Sequence, residues 1–269
     1  MLIHGNSSCR HAFAGFYRGE IAGRCRLIAF DLPGHGASDD AAEPERTYSI
    51  PAYADLAIEI LDRLGVTRAA VLGWSLGGHV GLELMARWPG LTGLAIVGTP
   101  PIAPNADAIA AGFRASPLMA LAGKEHFSET EALAYARATC GAEAIRRDKR
   151  LVEAVRRTDG RARSWMMRRA LEGAGVDGRA VAEAGRTPLA IVSGADEPFV
   201  DNDYLAGLAR ALLWRRGIHL VAGAGHAPFL EAPAAFDRLL TAFLSDVPDS
   251  ADCTLPFVNL VDASLADDS

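Results

Sequence analysis

Cysteine is scarce in this chain of 269 residues: Cys9, Cys25, Cys140 and Cys253 stand far apart and form no C-x-x-C pair. A chain this long can bury a core without staples, which excludes a disulfide mini-protein, and the wide spacing reads as free thiols in a reducing compartment. Long apolar runs are missing too, since none approaches the roughly 20 residues of a membrane span. The opening MLIHGNSSCR has no basic stretch followed by an apolar one, so no secretory leader is read and a cytoplasmic address is expected. A basic excess is also absent. The 33 acidic and 27 basic residues give a net charge of −6, which argues against a nucleic-acid partner. The deficit is local, because no Lys or Arg follows Arg238 while Asp246, Asp249, Asp252, Asp262, Asp267 and Asp268 do. Residues 1–245 are formally neutral, and 246–269 read as a poorly ordered acidic tail. No metal-ligand cluster of the H-x-H-x-D-H kind occurs, so neither metal nor cofactor is expected.

Half the residues are apolar and 22% are charged, the balance of a soluble globular chain long enough to need no staples. Short apolar runs alternate with helical patterns, which predicts an α/β protein with a mostly parallel sheet flanked by helices. Strands are expected at 2–3, 26–30, 69–72, 93–97, 189–192 and 219–221, with helices over 53–64, 77–88 and 234–244. In the first helix Leu56, Ile60 and Leu64 recur as one buried stripe, and Gly65 supplies the stop. The rhythm breaks between 100 and 187, which reads as an all-helical cap inserted into a core formed by 1–99 and 188–245. Eleven basic residues fall between Arg137 and Arg169 and read as solvated helix faces. Phe113, Met119, Phe127, Tyr135, Trp165, Met166 and Met167 are candidates to line an apolar cavity there.

The chemistry gathers at a few motifs. Gly73-Trp74-Ser75-Leu76-Gly77, between an apolar run and an amphipathic helix, has the form of a nucleophile elbow. The turn lifts the Ser75 hydroxyl out of the sheet, and side chains at 73 or 77 would collide with the strand–helix crossing. A serine needs a base, and His226 in the Gly-flanked loop after the last strand is the best of seven histidines, ahead of His4, His35 and His79. The base needs a carboxylate, and Asp196 and Glu197 are adjacent after a strand, so only one of them can face it. An oxyanion would be held by the N–H of Leu76, at the helix start, and of Asn6, after Gly5. Ser75, then the acid, then His226 is the order of an α/β-hydrolase.

His4-Gly5-Asn6, Asp31-Leu32-Pro33-Gly34-His35-Gly36, the Ser75 elbow and Gly225-His226 together resemble the α/β-hydrolase fold family over most of 2–245. In that family the acid commonly follows a glycine by three residues and precedes a proline, which favours Glu197 over Asp196. The sequence is similar, more narrowly, to the metal-independent N-acyl-homoserine lactonases of this fold, which open the lactone ring of bacterial quorum-sensing signals. HGNSS (4–8), GWSLGGH (73–79), GTPP (98–101), MALAG (119–123), RTDGRAR (157–163), DEPFV (196–200) and AGHAPF (224–229) carry that similarity. The resemblance implies a small acyl-lactone or ester substrate contacted by Asn6, Trp74 and Tyr135. It leaves a carboxylesterase, another lactonase such as an enol-lactonase, or a weakly catalytic ligand receptor as alternatives. Such proteins normally carry about 25 residues ahead of the H-G-N loop. Either the start of this sequence is set too late or its sheet is shorter, and in the shorter version the 26–30 strand is expected to be an open edge whose Leu27, Ile28 and Phe30 invite a second chain.

Overall fold

Parallel strands need apolar side chains on both faces, and the short runs supply them. The computed structural model describes residues 1–185, 187–208 and 213–247. Among these residues five strands form one parallel sheet in chain order: β1 (Leu2–Ile3), β2 (Ala69–Trp74), β3 (Leu91–Val97), β4 (Leu189–Gly194) and β5 (Leu213–Val221). Leu72, Trp74, Ala95, Val97, Ala190 and Val192 feed one apolar cluster, joined by Phe236, Leu240 and Phe243 of the Pro233–Asp246 helix. Val71, Leu94, Ile96, Leu189 and Ile191 feed the other, covered by the Ile50–Arg63 and Leu76–Arg87 helices.

Two expectations are corrected here. The 26–30 segment is no strand: Ala29 makes a single parallel bridge to Leu2, and the Leu2 N–H donates to the Ile28 carbonyl at 2.7 Å. Its neighbour β1 is only two residues long, so the ladder has nowhere to continue. Ile28 is buried, and Leu27 and Phe30 are half-buried against the core. In the Ile50–Arg63 helix the buried stripe is Tyr53, Ala54, Ala57 and Leu61, not Leu56, Ile60 and Leu64, which are half-buried flanks. Small alanines let this helix lie close to its neighbour, a choice that a search for large apolar residues overlooks. Ser49 caps its start by accepting the Ala52 N–H, and Gly65 ends it at φ 66°.

Between β3 and β4 the described chain is helical, and the sequence shows why. Asn105, Ser116, Ser128, Asp159 and Asp177 each place a side-chain acceptor on a first-turn N–H, Ser128 as a full capping box with Glu131. Its arginines mostly make exposed pairs such as Arg146–Glu143 and Arg168–Glu172, which contribute little each. Arg163 is the exception, at 3% exposure. Cys9 and Cys140 are free thiols. The predicted acidic tail lies outside the described residues from position 248 onward, as does Cys253. Asp246 belongs to the last helix and accepts from the Trp214 ring N–H at 2.9 Å. No helix among the described residues is long and apolar enough to cross a membrane.

Candidate active site

At the end of β2 the backbone reverses into the Leu76–Arg87 helix through Ser75, held at φ 54° and ψ −117°. The Ser75 N–H donates to the Val97 carbonyl at 2.8 Å, and its own carbonyl accepts the Thr99 hydroxyl at 2.9 Å. A Cβ at position 73 would sit 2.2 Å from the Gly77 carbonyl oxygen, and one at 77 would sit 2.0 Å from that of Ile3. Backbone cannot yield at either point, so glycine is required at both. The Ser75 side chain caps nothing in its own helix and lines an apolar cavity. Leu76 is the first helical residue, where an N–H has no intrahelical acceptor. Gly5 passes so close that a Cβ there would lie 3.1 Å from the Ser75 Cβ, which brings the Asn6 backbone alongside.

His226, 3% exposed, follows the turn after β5. Its Nδ1 lies 2.9 and 3.0 Å from the two carboxylate oxygens of Glu197. A carboxylate only accepts, so Nδ1 carries the proton and Nε2 keeps its lone pair. Glu197 also accepts the Phe199 N–H at 2.9 Å. Burial pushes this carboxyl up, but the charge and hydrogen bond of His226 and the Phe199 and Val200 N–H groups outweigh it and hold it below the ordinary value. The adjacent Asp196 is exposed, so the two acids point apart and Glu197 is the one that meets the imidazole.

The three competing histidines are each placed by their surroundings. His4 is locked between the Leu32 N–H, donating to Nε2 at 3.0 Å, and the Gly5 carbonyl, which accepts from Nδ1 at 2.8 Å. His79 lines the cavity, and burial lowers its pKa to about 4. His35 is fully buried, and burial together with the neighbouring His4 lowers it to about 3. In the unfolded chain that imidazole titrates near 6.5, so acid loads the unfolded state first. The stability due to neutral His35 is complete above the unfolded pKa and declines as pH falls towards the folded one. We expect a loss of about 2–3 kcal/mol by about pH 4.5 from this group. Urea midpoints at neutral and acid pH should show it, and His35→Leu should flatten the dependence.

Tyr135, Phe113, Met119, Met166 and Met167 line the cavity together with Asn6, Ser75 and His226. Burial pushes the Tyr135 phenol up, so it stays a hydrogen-bond donor. Three expected lining or contact residues do not reach it. Trp74, 1% exposed, instead donates its ring N–H to the His226 carbonyl at 2.9 Å and so braces that loop. Phe127 packs edge-on against Tyr135, at 5.5 Å between centroids, and Trp165 packs toward the other core cluster. Gly98 went unnoticed in the sequence, though the GTPP stretch contains it. Its φ is 57°, and a Cβ there would lie 2.8 Å from His226 Nδ1. Gly98→Ala should therefore lower kcat by about a hundredfold through a displaced imidazole while circular dichroism stays unchanged.

Among the described residues no group of three or more His, Cys, Asp or Glu side chains is placed to hold a metal ion. The model of the alpha/beta hydrolase family matches residues 1–239. The chain belongs to that family. Two curated relatives of this alpha/beta hydrolase match about a third of the chain. An uncharacterized protein of Mycobacterium tuberculosis is 36% identical over 91 residues, which are 34% of this chain and 26% of that protein. The pimeloyl-(acyl-carrier protein) methyl ester esterase of Neisseria meningitidis is 40% identical over 88 residues, 33% of this chain and 31% of the esterase. The chain thus spans about a third or less of these relatives' length. Among solved structures, the N-acyl homoserine lactonase AidH complexed with N-butanoyl homoserine is 46% identical, with a TM-score of 0.88, over 92% of this chain and 89% of that one. The enol-lactonase of Burkholderia xenovorans LB400 shares the fold, with 20% identity and a TM-score of 0.65 over 91% and 90% of the two chains.

Proposed function

We propose that this alpha/beta hydrolase opens the lactone ring of N-acyl-homoserine lactones. The observation that carries the reading is His226, paired with Glu197, on the same apolar cavity as a serine in a strained turn. The 46% identity to AidH, a lactonase of that substrate class, supports the choice of substrate. Ser75 attacks the lactone carbonyl and passes its proton to Nε2 of His226. The oxyanion is held by the N–H groups of Leu76 and Asn6, at about 3–4 kcal/mol of barrier each. Collapse breaks the ring C–O bond, His226 protonates the leaving alkoxide, and an acyl-enzyme remains with the new hydroxyl on the same chain. Water then gives its proton to His226, attacks the ester and frees Ser75 and N-acyl homoserine.

The test is mass spectrometry of N-hexanoyl homoserine lactone after incubation with the protein, where the gain of one water is expected. An unchanged lactone beside rapid cleavage of p-nitrophenyl esters would move the reading to a general carboxylesterase, which needs the same groups. Tight binding with no product from either would leave a ligand receptor.

A further inference from the structure

Arg163 differs from the other arginines of its segment. It is 3% exposed, and among the described residues no carboxylate pairs with it. Its donors go to neutral acceptors: Nε to the Lys124 carbonyl at 2.7 Å, Nη2 to the Glu125 carbonyl at 2.8 Å and Nη1 to the Ser7 hydroxyl oxygen at 3.2 Å. The guanidinium also lies 4.0 Å over the Phe127 ring. The approach of residues 124–125 is close enough that a Cβ on Gly160 would lie 1.8 Å from the Glu125 carbonyl oxygen. A buried cation with no carboxylate in direct contact is costly to fold, even with Asp159 and Glu125 acting on it from farther off.

What the charge holds is the candidate oxyanion loop. Ser7 sits at φ 57°, a strained value for a serine, and its O–H donates to the Asn6 side-chain oxygen at 3.3 Å. The Asn6 side-chain amide donates in turn to the Ala122 carbonyl at 2.8 Å. Arg163 and Asn6 therefore grip the same segment, 122–125, from two sides, with Ser7 linking them directly. We infer that Arg163 is a positioning residue for the oxyanion site, fixing Asn6 through Ser7 and residues 122–125. This rests on the reading of Asn6 given above.

The experiment compares kcat and KM of Arg163→Met, Arg163→Lys, Ser7→Ala and the Arg163→Met/Ser7→Ala double variant, with Ser75→Ala alongside. N-hexanoyl homoserine lactone and p-nitrophenyl butyrate serve as substrates. Arg163→Met should lose about tenfold to a hundredfold in kcat on both, with KM changed by no more than about threefold. Ser7→Ala should lose about tenfold, and the double variant should be no slower than Arg163→Met, because both act through Asn6. Arg163→Lys should recover part of kcat, since it returns the charge without the planar fork. An unchanged kcat in Arg163→Met, or losses that multiply in the double variant, would overturn the inference. If Arg163→Met does not fold, Ser7→Ala decides alone, since it removes one hydroxyl and no packing. Turnover surviving in Ser75→Ala would instead sink the serine mechanism, a separate failure.

Discussion

Ser75→Ala is expected to reduce kcat by about four to six orders of magnitude and to leave lactone binding intact. The size of the effect follows from the proposed route, in which every bond change passes through the Ser75 oxygen. Binding should survive because the hydroxyl has no structural duty. It caps no N–H of its helix, while the turn is held by the Ser75 main chain through Val97 and Thr99. Alanine has the same φ preference as serine, so the strain of the elbow is unaltered and the melting temperature should scarcely move. Calorimetric titration of the variant with N-hexanoyl homoserine lactone, beside single-turnover mass spectrometry of the wild type, measures both halves. A variant that keeps wild-type turnover removes the covalent route.

Glu197→Gln should be nearly as damaging, at about 10⁴-fold in kcat, whereas Asp196→Asn should stay within about twofold. The contrast comes from where two neighbouring acids point. Glu197 is 2% exposed with both oxygens on His226 Nδ1, and Asp196 is exposed. Glutamine keeps an oxygen for the Phe199 N–H, so the local backbone is preserved. Its amide then turns an N–H toward Nδ1 and drives the imidazole proton to Nε2, where no base is left for Ser75. Steady-state kinetics of the two variants, with thermal melts to show that both are folded, make the comparison. Equal losses in both would mean that the acid is not assigned by this geometry.

The elbow could be read directly from the letters because its constraints are local. Gly73 faces backbone four and five residues on, at Gly77 and Gly78, and only Gly77 answers to a distant segment, the Ile3 carbonyl on the adjoining strand. The helical segment was legible for a similar reason, since its caps lie two or three residues from the N–H groups they satisfy. The first helix was misread because its burial depends on how closely a neighbour approaches, and Ala54 and Ala57 announce nothing about that. The 26–30 run was apolar enough for a strand, yet a ladder needs a partner of equal length, and β1 offers two residues.

Local chemistry along the chain thus specified most of the sheet, the helices and the turn at Ser75, because hydrogen-bonding and steric rules act mainly over a few residues. The pairing of Glu197 with His226 across 29 positions, the withdrawal of Trp74 behind the His226 loop and the fit of Gly98 against the imidazole arose only when distant segments met. So did the reach of Arg163 to Ser7 across 156 positions. Each turns on the direction of a side chain relative to a backbone far away in sequence. Packing sets that direction, and no spacing rule encodes it.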